Sequence, residues 1–197
     1  LLYYRIKSKR AKKRNLKIYN SLCPEVFDFN KPFVFCGLQY QPEKSTCPIG
    51  GQFVDQILMV ELLSACLPDG WQILVKEHPS QFVPDYTRYG ECRTQHYYER
   101  LKRIPNVELI PLSYDPFFLI DKAQAVASVG GTLCWEAISR GRPALCFGDV
   151  WYKECEGVFK IISTTSLSRA FRRISEGHRP NLEKVKLFAK LIRDMGF

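Results

Sequence analysis

Short apolar runs alternate along the chain with longer stretches whose apolar positions recur at helical spacing, the pattern of a parallel sheet covered by helices. Phe33–Leu38, Gln72–Lys76, Val107–Ile110, Ala125–Val129, Pro143–Phe147 and Val158–Ile162 read as strands. Gly51–Leu67, Cys92–Arg103, Pro116–Ala123 and Thr132–Arg140 read as the helices between them, and Ser166–Glu176 and Leu182–Met195 as two closing helices. The order predicts an α/β fold: a Rossmann-like doubly wound parallel sheet of about six strands with helices on both faces. In such a sheet the loops at the carboxyl ends of the strands gather along one edge, where ligands bind.

Charge changes the picture only once it is located. The chain has 197 residues and a formal net charge of +9. Arg5, Lys7, Lys9, Arg10, Lys12, Lys13, Arg14 and Lys17 hold eight of the 29 basic residues, and no acid precedes Glu25, so the remainder carries 21 bases against 20 acids. Residues 1–22 therefore read as a basic linker or tail helix and residues 23–197 as a single α/β domain. The segment from Arg5 to Lys17 reads first as a solvated linker helix, next as a contact for an anionic membrane surface and last as a contact for nucleic acid. Nucleic acid is not an expected partner, because the body is near neutral. The chain begins at Leu1 and has only Met59 and Met195, which reads as a piece of a longer polypeptide.

Eight cysteines form no C-x-x-C pair, and the closest two are nine residues apart, which argues against a zinc cage. Cys36 and Cys146 lie inside strand-like runs, where a free thiol behaves as a small hydrophobe. That usage predicts a reducing, cytoplasmic location, and no stretch approaches the roughly 20 apolar residues of a membrane span.

Four loops after expected strands carry the candidate chemistry. Gln39-Tyr40-Gln41-Pro42-Glu43 follows the first strand, and Glu77-His78-Pro79 the second, with Lys76 ending that strand. Gly130-Gly131-Thr132 follows the fourth, and a run containing Trp151, Tyr152 and Lys153 the fifth. Gly130 and Gly131 allow close backbone approach, and the helix opening at Thr132 offers free amides to an anion. Glu136, one turn on, is placed for ribose hydroxyls; alternatively Thr132 caps the helix and Glu136 complements its dipole. His78 is placed to donate to phosphate, and Trp151 and Tyr152 either wall a base or sugar pocket or form a rim of hydrophobic packing. Glu43 and Glu77 stand near the expected crevice, either as poor candidates for a general base or as ordinary solvated loop carboxylates. No Walker A, G-x-G-x-x-G, D-x-D, G-x-S-x-G or H-E-x-x-H pattern is present.

From about Phe33 to Gly157 the chain resembles the bacterial capsule polysaccharide synthesis family related to the Kdo transferases. The resemblance rests on QYQPE with the downstream GGQFVDQ, on VKEHPSQF, and on ASVGGTLCWEAISRGRPALCFGDVWY. It implies one lobe of a two-lobed GT-B type glycosyltransferase whose nucleotide-sugar donor, such as CMP-Kdo, is held mainly by the C-terminal half. Gln41 and Pro42 fall on the family's QP element, His78 and Pro79 on its HP element, and Gly131, Thr132 and Glu136 on its glycine and glutamate loop. His78 and the Thr132 helix end would hold the phosphate, and Glu136 the ribose. No metal or other cofactor is implied, since a CMP leaving group carries one phosphate. The resemblance further implies a preceding acceptor-binding lobe with a catalytic carboxylate, so that this chain alone would be an inactive donor half; the basic segment Arg5–Lys17 would place it peripherally at the inner face of the bacterial inner membrane. The competing expectations are a polyol-phosphate transferase or sugar epimerase-like lobe, or a non-catalytic nucleotide- or surface-binding module.

Overall fold

The computed structural model describes residues 2–43, 46–83, 93–94 and 96–196. Helix α1 (Leu2–Leu22) leads into β1 (Phe33–Gly37), a 3-10 turn (Gly51–Val54), α2 (Gln56–Cys66) and β2 (Gln72–Lys76). A second 3-10 turn (Pro79–Phe82) precedes α3 (Tyr97–Arg103), β3 (Val107–Leu109), α4 (Pro116–Lys122), β4 (Ala125–Ser128) and α5 (Leu133–Ser139). The chain continues through β5 (Ala144–Cys146), β6 (Val158–Lys160), α6 (Thr164–Ser175) and α7 (Leu182–Asp194). All six strands are parallel, in the order β3-β2-β1-β4-β5-β6. The chain thus builds outward from β1 to one edge and from β4 to the other, and the direction reverses between these two central strands.

Both faces of the sheet are buried, which is why its strands read as apolar runs rather than alternating ones. Val34, Cys36, Ile73, Val75, Ala125 and Ala127 pack with Tyr19 of α1, Leu63 of α2, Leu101 of α3 and Phe171 of α6. Phe33, Phe35, Leu74, Val126 and Cys146 pack on the other face with Leu119 of α4, Ile138 of α5 and Val185 of α7. Burial pushes up the thiol pKa of Cys36, as befits a cysteine used as a small apolar side chain.

The single helix expected over Gly51–Leu67 is divided. Asp55 is extended (φ −77°, ψ 98°) and its carboxylate accepts from the Ile57 amide, so it ends the 3-10 turn and caps α2. α3 begins at Tyr97, and the expected start at Cys92 lies outside the described residues. The remaining helix ends shift by one or two residues, for instance at Ser163, where a capping box with Ser166 starts α6 earlier than apolar spacing indicates.

The basic segment is helical and packed on the domain. Tyr19 is fully buried and donates from its hydroxyl to the Ile110 carbonyl (2.5 Å). Lys12 donates to the Val83 carbonyl (2.7 Å) and Asn15 to the Arg93 carbonyl (2.7 Å). No described helix is long and apolar enough to cross a membrane.

Candidate functional site

The carboxyl ends of β1, β2 and β4 meet around a cavity of about 230 Å³ at the point where strand order reverses. Gln39 lines it from the loop after β1, Lys76 from the end of β2, and Glu77, His78 and Pro79 from the loop after β2; Thr132, Leu133 and Glu136 line it from the start of α5. Among the residues singled out by sequence, the cavity therefore gathers Lys76, His78, Pro79, Thr132 and Glu136. Gln41, Pro42, Gly130, Gly131, Trp151 and Tyr152 do not line it.

Lys76 is 6% exposed, yet its ammonium makes no hydrogen bond or ion pair with any described residue. Burial holds its pKa below the usual lysine value, and the charge of Asp115 only partly opposes this. His78 lies two residues on. Its Nδ1 accepts from the Ser80 amide (3.3 Å), which leaves the ring proton on Nε2 as a donor. On the facing wall the Thr132 hydroxyl donates to Glu136 Oε1 (2.8 Å) rather than capping α5, so no side chain covers the first helical amides and Glu136 keeps its second oxygen free of Thr132.

A buried polar lattice holds these loops, and its centre escaped the sequence reading. Arg93 is 3% exposed and donates through Nε to Glu77 Oε2 (2.7 Å), through Nη2 to the Gln39 carbonyl (3.1 Å), and through Nη1 to the Gln41 side-chain oxygen. Glu77, expected as a solvated carboxylate, is instead buried, because it also accepts from its neighbour's amide at His78 (2.9 Å) and from the Tyr98 hydroxyl (2.9 Å). Burial opposes the Arg93 charge, but Glu77, Tyr97 and Tyr98 outweigh it and push the guanidinium pKa up. A carboxylate so engaged is a scaffold for the loops and not a free base. Glu43, the other carboxylate of this edge, is exposed.

The loops after β1 and β4 are tied in the same manner. Gln39 donates through Nε2 to Ser128 Oγ (2.9 Å), whose own proton lies between the carbonyls of Gly37 and Gly130 (3.0 and 3.2 Å). Gln56 clasps the Gln39 backbone, accepting from its amide (2.7 Å) and donating to its carbonyl (2.9 Å). Gly131 has φ +71°, and a Cβ there would stand 2.5 Å from Gln39 Oε1, so the turn into α5 admits only glycine without strain. Gln41, before a cis bond to the exposed Pro42, donates from its side chain to Val54 O (2.7 Å).

Tyr152 does not wall the cavity. It is fully buried, and its hydroxyl donates to the Gly131 carbonyl (2.7 Å), supporting the glycine turn from behind. Trp151 is 56% exposed and packs in an aromatic cluster with Trp135 (4.9 Å between centroids) and Phe188 (6.3 Å), away from the cavity lining. Among the described residues no three His, Cys, Asp or Glu side chains group as metal ligands.

The model of a family described as capsule polysaccharide biosynthesis protein matches residues 6–168. A search of curated proteins finds no match. Among solved structures the chain is similar to KpsC of Thermosulfurimonas dismutans, a beta Kdo 2,7 transferase, at 17% identity and a TM-score of 0.52 over 83% of this chain and 51% of that one. It is similar to the UDP-GlcNAc 2-epimerase of Methanocaldococcus jannaschii at 14% identity and a TM-score of 0.53, over 91% of this chain and 49% of that one. Both likenesses concern the fold, and this chain spans about half the length of either structure.

Proposed function

The chain belongs to the capsule polysaccharide biosynthesis family, and on that footing we propose that it is the nucleotide-sugar-binding half of a glycosyltransferase whose donor is CMP-Kdo. The observation that carries the reading is Lys76: a side chain only 6% exposed, lining the cavity where strand order reverses, whose ammonium has no hydrogen bond or ion pair among the described residues. A desolvated charge is costly until an anion meets it. His78, two residues on, presents its Nε2 proton to the phosphate, and Glu136 accepts from ribose hydroxyls. The donor carries one phosphate and one carboxylate, an anionic load that needs no bridging divalent cation.

Glycosyl transfer also needs an acceptor hydroxyl held within reach of a general base. Glu77 is committed to Arg93. The acceptor and the base belong to a second lobe, so this chain alone transfers no sugar. A thermal-shift panel of CMP, CMP-Kdo and UDP-GlcNAc tests the donor assignment: at 100 times its dissociation constant the true ligand adds about 2.7 kcal/mol. Stabilisation by the cytidine compounds is the expected result. Stabilisation by UDP-GlcNAc alone favours an epimerase-like lobe, and no shift with any of them overturns the reading.

A further inference from the structure

The hydrogen bonds that seat α1 fix its rotation as well as its place. Lys12, Asn15 and Tyr19 turn toward the domain, and Ser8, one turn earlier, has a buried hydroxyl on the same side. At 3.6 residues per turn, Lys7, Arg10, Lys13, Arg14 and Lys17 fall on the opposite side, within an arc of about 120° and a length of about 15 Å. All five are exposed. Tyr3 and Ile6, 70% and 44% exposed, extend the same strip at its N-terminal end. No acid occurs in α1, and the rest of the chain is balanced at 21 bases to 20 acids, 29 bases in all less the eight of α1.

We propose that this face of α1 docks on an anionic phospholipid bilayer, with headgroup phosphates meeting Arg10, Lys13, Arg14 and Lys17 and with Ile6 entering the interface. The inference stands on the rotation of the helix and does not depend on what the cavity binds. A single convex strip of cations ending in an aliphatic side chain suits a flat anionic surface with an apolar layer beneath it. Between Lys7 and Lys17 the strip holds no aromatic side chain on which a base could stack. Docking also orients the cavity, since the Tyr19 hydroxyl accepts from the Glu77 amide (3.1 Å), next to His78.

Sedimentation with vesicles of equal parts phosphatidylglycerol and phosphatidylcholine, and with pure phosphatidylcholine vesicles, tests it. The chain is compared with an Arg10→Gln/Lys13→Gln/Arg14→Gln/Lys17→Gln variant and with a milder Lys13→Gln/Arg14→Gln variant, each checked for native circular dichroism. Lys184→Gln/Lys186→Gln on α7, whose buried side chain packs on the other face of the sheet, is the control. The expected result is binding to the anionic vesicles only, weakened on the order of tenfold or more in the fourfold variant and less in the twofold one, and unchanged in the control. Equal binding by all variants, no binding by the unaltered chain, or displacement from vesicles by duplex DNA at the same salt would overturn the proposal.

Discussion

Arg93 Nε lies 2.7 Å from Glu77 Oε2, with the two side chains only 2% and 0% exposed. The pair joins the loop after β1 to the loop after β2, because the same guanidinium also holds the Gln39 carbonyl and the Gln41 side chain. Removing one partner strands a buried charge. Arg93→Met or Glu77→Gln is expected to cost about 3–5 kcal/mol in urea unfolding, and the double variant less than the sum. Arg93→Lys is expected to rescue little, since one ammonium cannot span three acceptors set for a planar fork. A midpoint unmoved by Arg93→Met would contradict this account of the loops.

Lys76→Met separates stability from binding. It replaces a partly desolvated ammonium by an apolar chain of similar length, so the ligand-free melting temperature is expected to rise by about 2–4 °C per kcal/mol recovered. Affinity for CMP is expected to fall by roughly 1.5–3 kcal/mol. Differential scanning calorimetry and titration calorimetry read the two effects. A simultaneous fall in stability would mean that Lys76 has a structural partner.

The pH dependence follows from the direction of the Lys76 shift. Its folded pKa lies below the usual 10.5, so in the alkaline range the folded chain releases that proton before the unfolded chain does. This group's contribution to ligand-free stability therefore rises with pH, starting at the lowered pKa and completing at the usual one. CMP needs the charged form, so its affinity is expected to fall over the same window, with proton uptake on binding. Titrations in buffers of different ionisation enthalpy measure that uptake; in Lys76→Met it should vanish.

Gly131→Ala is expected to destabilise by about 1–2 kcal/mol, because φ is +71° and the new Cβ would press on Gln39 Oε1 at 2.5 Å. Tyr152→Phe, which only removes the donor to the Gly131 carbonyl, is expected to cost about 1 kcal/mol. Thermal denaturation of both variants checks the order; a larger loss for Tyr152→Phe would contradict the primacy of the glycine turn.

The six strands were legible because a sheet covered on both faces needs nearly every strand residue apolar, as Phe33–Cys36 and Ile73–Val75 are. The placing of Lys76, His78, Thr132 and Glu136 at one edge followed from strand ends alone. Arg93 was not legible: it sits in a polar stretch beside Cys92, and its role comes from Glu77, sixteen residues away in sequence and reached only through folding. Tyr152 misled for a related reason. An aromatic residue after a strand suits a pocket wall or a core equally well, and only its bond to the Gly131 carbonyl decides between them. Asp55 was readable in principle as a cap ahead of the apolar run from Ile57, but continuous helical spacing masked the break.

The structure of the complex with CMP tests the central claim most directly. The account predicts the nucleotide in the cavity at the ends of β1, β2 and β4, its phosphate within hydrogen-bond distance of His78 Nε2 and Lys76 Nζ and its ribose against Glu136. CMP bound elsewhere, for example against Trp151 and Phe188, with Lys76 still unbonded, would contradict it.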